Sequence, residues 1–245
     1  MRSRILAPFV LLGLWFAAAY AGWPSPRAVP APRDVALVAA SELMAQRVWL
    51  DIGATLGRVV LGVSVATMLG GLAGIALGAS RSRWRAVLPT VEFLRAIPPI
   101  LTFPLFLLAL GYGDGARVAA IVFGTTGIVL LNVATGLSRA PTERAETVQL
   151  CGLGAGAAFL HLHLYEALPS LFTGVRLALA AGLVISVVTE MLVGAGYGLG
   201  ARALGAQLAY RADELWFVIA LAGMLGMTLS GLVLAIERRV VHWRG

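Results

Sequence analysis

Residues 50–78 read LDIGATLGRVVLGVSVATMLGGLAGIALG, an apolar run that carries only two charged side chains, Asp51 and Arg58. A bilayer-spanning helix needs about 20 consecutive, mostly apolar residues. This run is longer than that, and both charges lie near its beginning. We therefore expect a transmembrane helix that starts outside the hydrocarbon region.

Apolar runs of similar length recur along the chain and predict about six transmembrane helices. They cover residues 5–22, 50–78, 86–110, 118–137, 171–193 and 215–236. The composition agrees, because 59% of the residues are hydrophobic and only 13% are charged, whereas about a quarter of an ordinary soluble domain is charged. We predict an all-α, polytopic protein embedded in the lipid bilayer of the cell inner membrane.

The placement of arginine predicts the orientation. The 19 basic residues are all arginines, and they fall mostly between the apolar runs. Arginine is enriched in short cytoplasmic loops. With six spans, the arginine-rich segments at both ends and after the second and fourth spans lie on one side, so both termini are predicted to be cytoplasmic. The arginines form no single basic face, so we expect no nucleic-acid partner.

The chain divides into an N-terminal transmembrane helix with an external linker, residues 1–49, and a transmembrane core, residues 50–245. Four prolines in residues 23–33 prevent a regular helix there. The first apolar run ends in Ala-Tyr-Ala at residues 19–21, which is similar to a signal-peptide cleavage site. Its length exceeds the usual apolar core of 7–15 residues and favours retention as a helix, but both alternatives stay open.

The loop between the fourth and fifth spans carries the most informative motif. Residues 140–169 read APTERAETVQLCGLGAGAAFLHLHLYEALP. Pro141 suits the first turn of a helix, Glu143 and Glu146 suit its N-terminal half, and Gly152 can end it. The loop is too apolar to be freely solvated, so we expect it to lie in a groove of a partner or against its own helices.

Glu146 is followed six residues later by Gly152, and this spacing resembles the cytoplasmic Glu-Ala-Ala motif of binding-protein-dependent ABC importer permeases. The likeness is greatest to the nitrate, sulfonate and taurine branch. Thr147 and Val148 stand where that family has two alanines. Further on, Leu162 and Leu164 match two apolar positions, but tyrosine replaces the proline that follows them.

Three other stretches resemble the same family in the same order. They are the segments around Arg58, around Pro98 and Pro99, and from Glu190 to Gly200. The resemblance implies a permease subunit that translocates a small solute, sulfonate-, nitrate- or taurine-like or related. It implies as partners an ABC ATP-binding subunit, an external solute-binding protein that delivers the solute, and a second permease copy in a homodimer.

In this family the loop is a coupling helix that fits a groove of the ATP-binding subunit. The resemblance assigns that contact to Glu146, Thr147, Val148, Gly152, Leu153, Phe159, Leu162 and Leu164. A helix that only packs on the cytoplasmic face is the alternative. The chain has no lysine, which a P-loop needs to hold nucleotide phosphates, so ATP hydrolysis is expected on a separate subunit.

Four residues within the predicted spans are candidates for the translocation path or for helix packing. Pro98, Pro99 and Pro104 break the third span and free backbone carbonyl groups, which is tolerated beside a cavity or a neighbouring helix. Glu190 is an ionisable group in the fifth span, which is costly unless it has a function or a partner.

Two other classes of function are less consistent with the sequence. A stand-alone secondary transporter more often has internal repeats, and we find none in the sequence. A membrane enzyme needs a catalytic cluster, and the sequence offers none. His161 and His163 are two residues apart, unlike the four-residue spacing of metal-binding helices, so we predict no metal site and no cofactor.

The substitution Gly152→Asp tests the predicted coupling helix. A charged side chain at the end of this helix should prevent its close fit into an apolar groove, so we expect solute uptake to be lost while the chain still inserts. Uptake into cells and the amount of chain in the membrane are the two measurements. Gly152→Ala is the matched control, and normal uptake with Gly152→Asp would contradict the assignment.

Overall fold

The computed structural model describes residues 2–22, 28–139 and 164–242. These residues form helices and no strand, which confirms the all-α class. In chain order the helices are α1 (Arg2–Tyr20), α2 (Pro32–Glu42), α3 (Gln46–Gly78), α4 (Arg81–Ala96), α5 (Pro99–Leu110), α6 (Asp114–Ser138), α7 (Leu164–Leu192), α8 (Leu199–Leu208) and α9 (Ala212–Val240).

Four of these helices, α3, α6, α7 and α9, are long and apolar enough to cross a membrane. The pair α4 and α5 adds a fifth span if the two helices count as one. The described residues therefore give four or five spans by this measure, against the six that the sequence predicts. The remaining predicted span, residues 5–22, coincides with α1.

The third predicted span, residues 86–110, is broken at Pro98 and Pro99, as the sequence predicts, but not at Pro104, which lies inside α5. It consists of α4 and α5, which meet at an angle of 80°. Ile97 and Pro98 between them are extended, with ψ near 120°, because a residue before proline avoids the helical region and proline has no N–H to donate. With 12 residues, α5 is about 18 Å long and too short to cross the hydrocarbon by itself.

The described chain divides into two compact units. The first unit holds the residues up to Thr55 together with Glu190–Leu225, and the second holds Leu56–Thr189 and Gly226–Gly245. All three boundaries, after Thr55, Thr189 and Leu225, fall inside helices and not in a linker. The predicted division between residues 49 and 50 stays a prediction.

In the second unit, α3 packs on α6 through a face of small residues. Gly62, Gly70, Gly74 and Gly78 are spaced by four or eight residues, and the fully buried Ala66 falls in the same register. Residues four apart lie on one side of a helix. Small residues at this spacing allow two membrane helices to approach backbone to backbone.

The distances at this contact leave no room for a side chain. A Cβ atom on Gly70 would lie 2.6 Å from the carbonyl oxygen of Thr126, and one on Gly78 would lie 2.7 Å from the Cα of Ala134. The obstacles are backbone atoms of α6, which cannot rotate away. The close packing of α3 on α6 therefore requires glycine at positions 70 and 78.

The helix α7 packs on α3 and α6 through two glycines of its own. A Cβ on Gly174 would be 3.2 Å from the Cα of Val129, and a Cβ on Gly182 would be 3.0 Å from Cγ2 of Val63. Nine residues of α6 are buried. The helices α3, α6 and α7 therefore pack together in the second unit.

In the first unit, α1 is attached by a pair of tryptophans. Trp15 of α1 stacks on Trp216 of α9 with 5.1 Å between ring centroids. The Trp15 indole N–H donates to the Pro30 carbonyl at 3.2 Å, and that of Trp216 donates to the Ala28 carbonyl at 3.0 Å. Removal of the first apolar run by a signal peptidase would remove half of this contact.

The glycine face predicts a position-specific effect of added volume. Gly74→Leu should force α3 away from α6, because a Cβ at this position already lies 2.8 Å from Cβ of Val133. We expect the free energy of unfolding to fall by about 1–3 kcal/mol or more. Thermal unfolding in detergent, followed by the loss of the monodisperse peak in size-exclusion chromatography, is the measurement.

The control is Gly231→Leu in α9, where nothing lies within 4 Å of an added Cβ. This variant should be neutral or slightly more stable, because leucine favours a helix more than glycine does. Equal melting temperatures for the two variants would show that the glycine face does not limit the packing.

Candidate functional site

The start of α8 is held by side chains from distant parts of the first unit. Gly198 has a φ of 147°, in the range that favours glycine, and it has no side chain to cap the helix. Its N–H donates to Oδ1 of Asp51 at 2.9 Å, and the next N–H, of Leu199, donates to Oγ1 of Thr55 at 2.9 Å. Both acceptors lie on α3, so α3 supplies the cap that α8 lacks.

Glu190, near the end of α7, accepts the third N–H. Gly200 donates to Oε2 of Glu190 at 2.9 Å, and the Thr55 hydroxyl lies 3.0 and 3.1 Å from the two oxygens of the same carboxylate. Glu190 and Thr55 are both fully buried. A buried carboxylate is costly unless hydrogen bonds compensate for the loss of water, and these contacts supply that compensation.

One turn into α8, Arg202 contacts three carboxylates. Its Nε lies 2.8 Å from Oδ2 of Asp51, and its Nη1 lies 2.6 Å from Oε2 of Glu42 and 3.1 Å from Oε1 of Glu214. The Arg202 side chain is 8% exposed. It therefore joins α2, α3, α8 and α9 at one point.

Burial and ion pairing shift the pKa of Arg202 in opposite directions. Burial by itself lowers the pKa of a guanidinium, but the hydrogen bonds and negative charges of Asp51 and Glu42 outweigh it, so the pKa of Arg202 is raised. We call Arg202 and its three carboxylates the Arg202 cluster.

A pocket of about 450 Å³ opens beside this cluster. Its wall contains the four members of the cluster and seven further residues, which are Ala45, Arg47, Ala195, Gly196, Ala201, Gly205 and Arg211. Arg211 forms an ion pair with Glu214, with Nη2 2.6 Å from Oε2, while the Arg211 side chain remains 58% exposed. The pocket is thus lined by charged groups of both signs.

The second unit has a smaller ionic contact at the start of α6. Asp114 lies 2.8 Å from Nε of Arg58 and 3.4 Å from Nη1 of Arg117. Both arginine side chains are about nine-tenths buried, and Asp114 is 64% exposed. A carboxylate in the first turn also suits the positive end of the helix dipole. This contact ties α3 to α6 beyond the end of the glycine face.

The three predicted proline positions have different surroundings. Pro98 precedes α5 and its carbonyl accepts from the Leu101 N–H, Pro99 is the first residue of α5, and Pro104 lies inside it. Pro99 also lines an apolar pocket of about 260 Å³ at the bend, together with Arg95. Gly124 of α6 leaves room for Pro99, since a Cβ there would lie 2.6 Å from Cγ of Pro99.

Seven of the eight residues predicted for the coupling helix lie outside the described residues. They are Glu146, Thr147, Val148, Gly152, Leu153, Phe159 and Leu162. The eighth, Leu164, is the first residue of α7 and is half-buried. The helix α7 therefore includes residues 164–170, which precede the predicted start of the fifth span at residue 171.

The sequence analysis missed Arg202 and its carboxylates. Residues 194–200 look like a glycine-rich loop, and α8 begins at the end of that stretch. The available signal was the set of charged residues at positions 42, 51, 202 and 214, near the side of the membrane that the sequence predicts to be external. Their separation along the chain, up to 160 residues, prevents their pairing from being read from spacing.

The matches to known proteins agree with this architecture. Residues 57–242, about three quarters of the chain, match the protein family described as binding-protein-dependent transport system inner membrane component. The taurine transport system permease protein TauC of Escherichia coli K12 is 27% identical over 96% of this chain and 87% of its own length. The nitrate import permease protein NrtB of Synechocystis sp. is 27% identical over 78% of this chain and 70% of its own length.

A solved structure shares the fold. The MetNI methionine ABC transporter in an inward-facing conformation matches with a TM-score of 0.66 and 24% identity, over 81% of this chain and 98% of the solved chain. At this identity the similarity supports the fold alone. The match leaves about a fifth of this chain without a counterpart.

Thr55→Val tests the cap of α8. Valine has the same shape but cannot accept from the Leu199 N–H or donate to Glu190, so two buried polar groups lose a partner. We expect the free energy of unfolding to fall by about 1–3 kcal/mol, measured as a lower melting temperature in detergent. Thr67→Val, at a half-buried threonine of the same helix outside this network, is the control and should change little. A melting temperature for Thr55→Val that equals the control would contradict this role.

Proposed function

This chain belongs to the family of binding-protein-dependent transport system inner membrane components, and we propose that it carries a small sulfonate-, nitrate- or taurine-like solute across the inner membrane. It is the permease of an ABC importer, as its relatives are. The observation that carries the proposal is the family match over residues 57–242. This range includes most of α3 and all of the other long apolar helices, α6, α7 and α9.

The class of solute follows from the names of the relatives. They are permeases for taurine, nitrate and aliphatic sulfonates at about 27% identity over most of this chain. These solutes are small and carry an anionic group. A solute of this class, or a related one, would reach the permease from an external solute-binding protein.

A separate ATP-binding subunit would drive transport through residues 140–164. The support from the structure is that Leu164, the last residue assigned to the coupling contact, belongs to α7, a helix of 29 residues. A helix of this length moves as a unit, so displacement of the loop would be felt along α7. The residues Glu146 to Leu164 named above would make the contact with the ATP-binding subunit.

A second copy of the chain would complete the transporter. Among the four long apolar helices of the described residues, α9 is the least buried. In its most apolar stretch 17% of the residues are buried, against 44% in α3. Met227, Leu232 and Ile236 of α9 are each more than half exposed. Such a surface must be covered by lipid or by protein, and we assign part of it to the homodimer contact.

Glu190 serves helix packing in this proposal, and the solute path lies elsewhere. Its carboxylate is fully buried and accepts hydrogen bonds from Thr55 and from the start of α8. Pro98 and Pro99 create the bend between α4 and α5, and Pro104 lies within the short second half. A stand-alone secondary transporter is disfavoured by the family to which the chain belongs.

The decisive experiment is gentle purification of the tagged chain from its native membrane. We expect a P-loop ATPase to be recovered with it in about equal amount, identified by mass spectrometry. The purified complex, reconstituted into liposomes with a solute-binding protein, should take up a radiolabelled solute such as taurine, nitrate or an aliphatic sulfonate only when ATP is present. Active uptake by the chain alone, without ATP, would contradict the proposal.

A further inference from the structure

The apolar pocket at the bend between α4 and α5 contains one charged side chain. The pocket has a volume of about 260 Å³ and lies within the second unit. Among the described residues of its wall, Arg95 is the only charged one, and most of the others are apolar. The pocket beside the Arg202 cluster has charges of both signs, whereas this one offers a single positive charge in apolar surroundings.

Arg95 forms no ion pair within the part of the chain that the structure describes. Glu92, three residues earlier on α4, is exposed and does not belong to the pocket wall. Arg95 lies in the last turn of α4, where a cation suits the helix dipole, but the partial charge of a helix end does not neutralise a guanidinium. The arginines that do form ion pairs with carboxylates are Arg58, Arg117, Arg176, Arg202 and Arg211.

The side chain of Arg95 lies along α6 and remains accessible. A Cβ added to Gly127 would lie 3.7 Å from Cβ and 3.8 Å from Cγ of Arg95, so the aliphatic part of Arg95 lies beside this glycine. Arg95 is nonetheless exposed. An ionisable group in a membrane span is costly, and such groups mark the paths of ions and solutes. An anionic ligand that enters the pocket would meet this guanidinium.

The pocket lies halfway along α6. This helix has 25 residues and is about 37 Å long, and the pocket residues on it fall between positions 123 and 130, around its middle. The hydrocarbon core of a bilayer is about 30 Å thick, so its centre is about 15 Å from the headgroups on either side. A solute that crosses the membrane must pass this depth, whereas lipid headgroups stay at the two surfaces.

We propose that this pocket binds the transported solute during its passage, and that the solute is a small alkanesulfonate. The inference rests on the proposed function and names the solute more closely. The sulfonate oxygens accept hydrogen bonds from the Arg95 guanidinium, and the alkyl chain lies against Leu94, Ile97 and Phe123. The attraction between the two charges is stronger in these apolar surroundings than in water.

The pocket wall distinguishes among the anionic solutes for which the relatives are named. Taurine carries an ammonium group besides its sulfonate, and the described residues of the wall include no carboxylate to receive it. Nitrate has no apolar part, so it gains nothing from the apolar side chains. Sites for drug-sized ligands measure about 300–1,000 Å³, so a pocket of about 260 Å³ also limits the length of the alkyl chain.

The test uses the intact transporter, with its ATP-binding subunit, in phosphatidylcholine liposomes with a saturating amount of the loaded solute-binding protein. The probe is radiolabelled butanesulfonate. Arg95→Gln should reduce ATP-driven uptake by about tenfold, because the sulfonate loses a charged hydrogen-bond donor. The ATPase activity that the binding protein stimulates should continue, and Arg95→Lys, which keeps the charge, should restore part of the uptake.

The choice of solute is tested without the binding protein. Phenylglyoxal modifies arginine side chains, and mass spectrometry of the peptide that contains Arg95 gives the rate of its modification. Butanesulfonate should slow this reaction, and taurine or nitrate at the same concentration should slow it less. Equal protection by taurine would overturn the assignment to an alkanesulfonate.

Arg85→Gln is the matched control. Arg85 is an exposed arginine of the same helix, and it does not line the pocket. This variant should take up butanesulfonate at the rate of the unaltered transporter. The melting temperature of Arg95→Gln should also be unchanged, which separates a loss of solute binding from a loss of structure.

Three results in the uptake assay would overturn the inference. Equal uptake by Arg95→Gln and Arg85→Gln would show that the solute passes elsewhere, while the proposed function stands. A defect of Arg95→Gln that occurs only in liposomes containing phosphatidylglycerol would assign the pocket to a lipid headgroup. An unaltered transporter that takes up no solute with ATP would remove the proposed function itself, and the inference with it.

Discussion

The contact between α3 and α6 is the constraint on which the second unit depends. Lipid chains are as apolar as leucine, so helices in a bilayer gain little by hiding apolar side chains from it. What holds them is dispersion between closely packed atoms, which falls off steeply with distance. The glycines at 70 and 78 bring α3 against the backbone of α6, and α7 then packs on both helices through Gly174 and Gly182.

The first unit depends on a different requirement, that every buried polar group has a partner. The glycine-rich start of α8 offers three N–H groups and no side-chain cap. Asp51, Thr55 and Glu190 accept them, and the second oxygen of Asp51 accepts from Arg202. One continuous network thus joins the ends of α3 and α7 to α8. Loss of one member leaves the others buried and unsatisfied, which costs more than the hydrogen bond itself contributes.

These two kinds of packing suit a transport subunit. The helix α7 runs from Leu164 to Leu192, and Glu190 near its end belongs to the network of the first unit. The bend between α4 and α5 leaves an apolar pocket beside Pro99, where irregular backbone lies against protein. A membrane protein that changes shape needs rigid helices joined at a few defined points, and both features are present here.

The sequence by itself determined the all-α class, the positions of the long apolar helices and the resemblance to importer permeases, because these depend on local composition and on motifs close together in the chain. The two prolines at 98 and 99 predicted a break, but only the structure decided its angle of 80° and the close approach of Pro99 to Gly124. Which glycines face α6, and that Arg202 meets carboxylates as far as 160 residues away, were likewise decided by tertiary structure. The physical reason is that close approach and charge pairing are properties of helix faces in space, and a sequence lists residues without saying which faces meet.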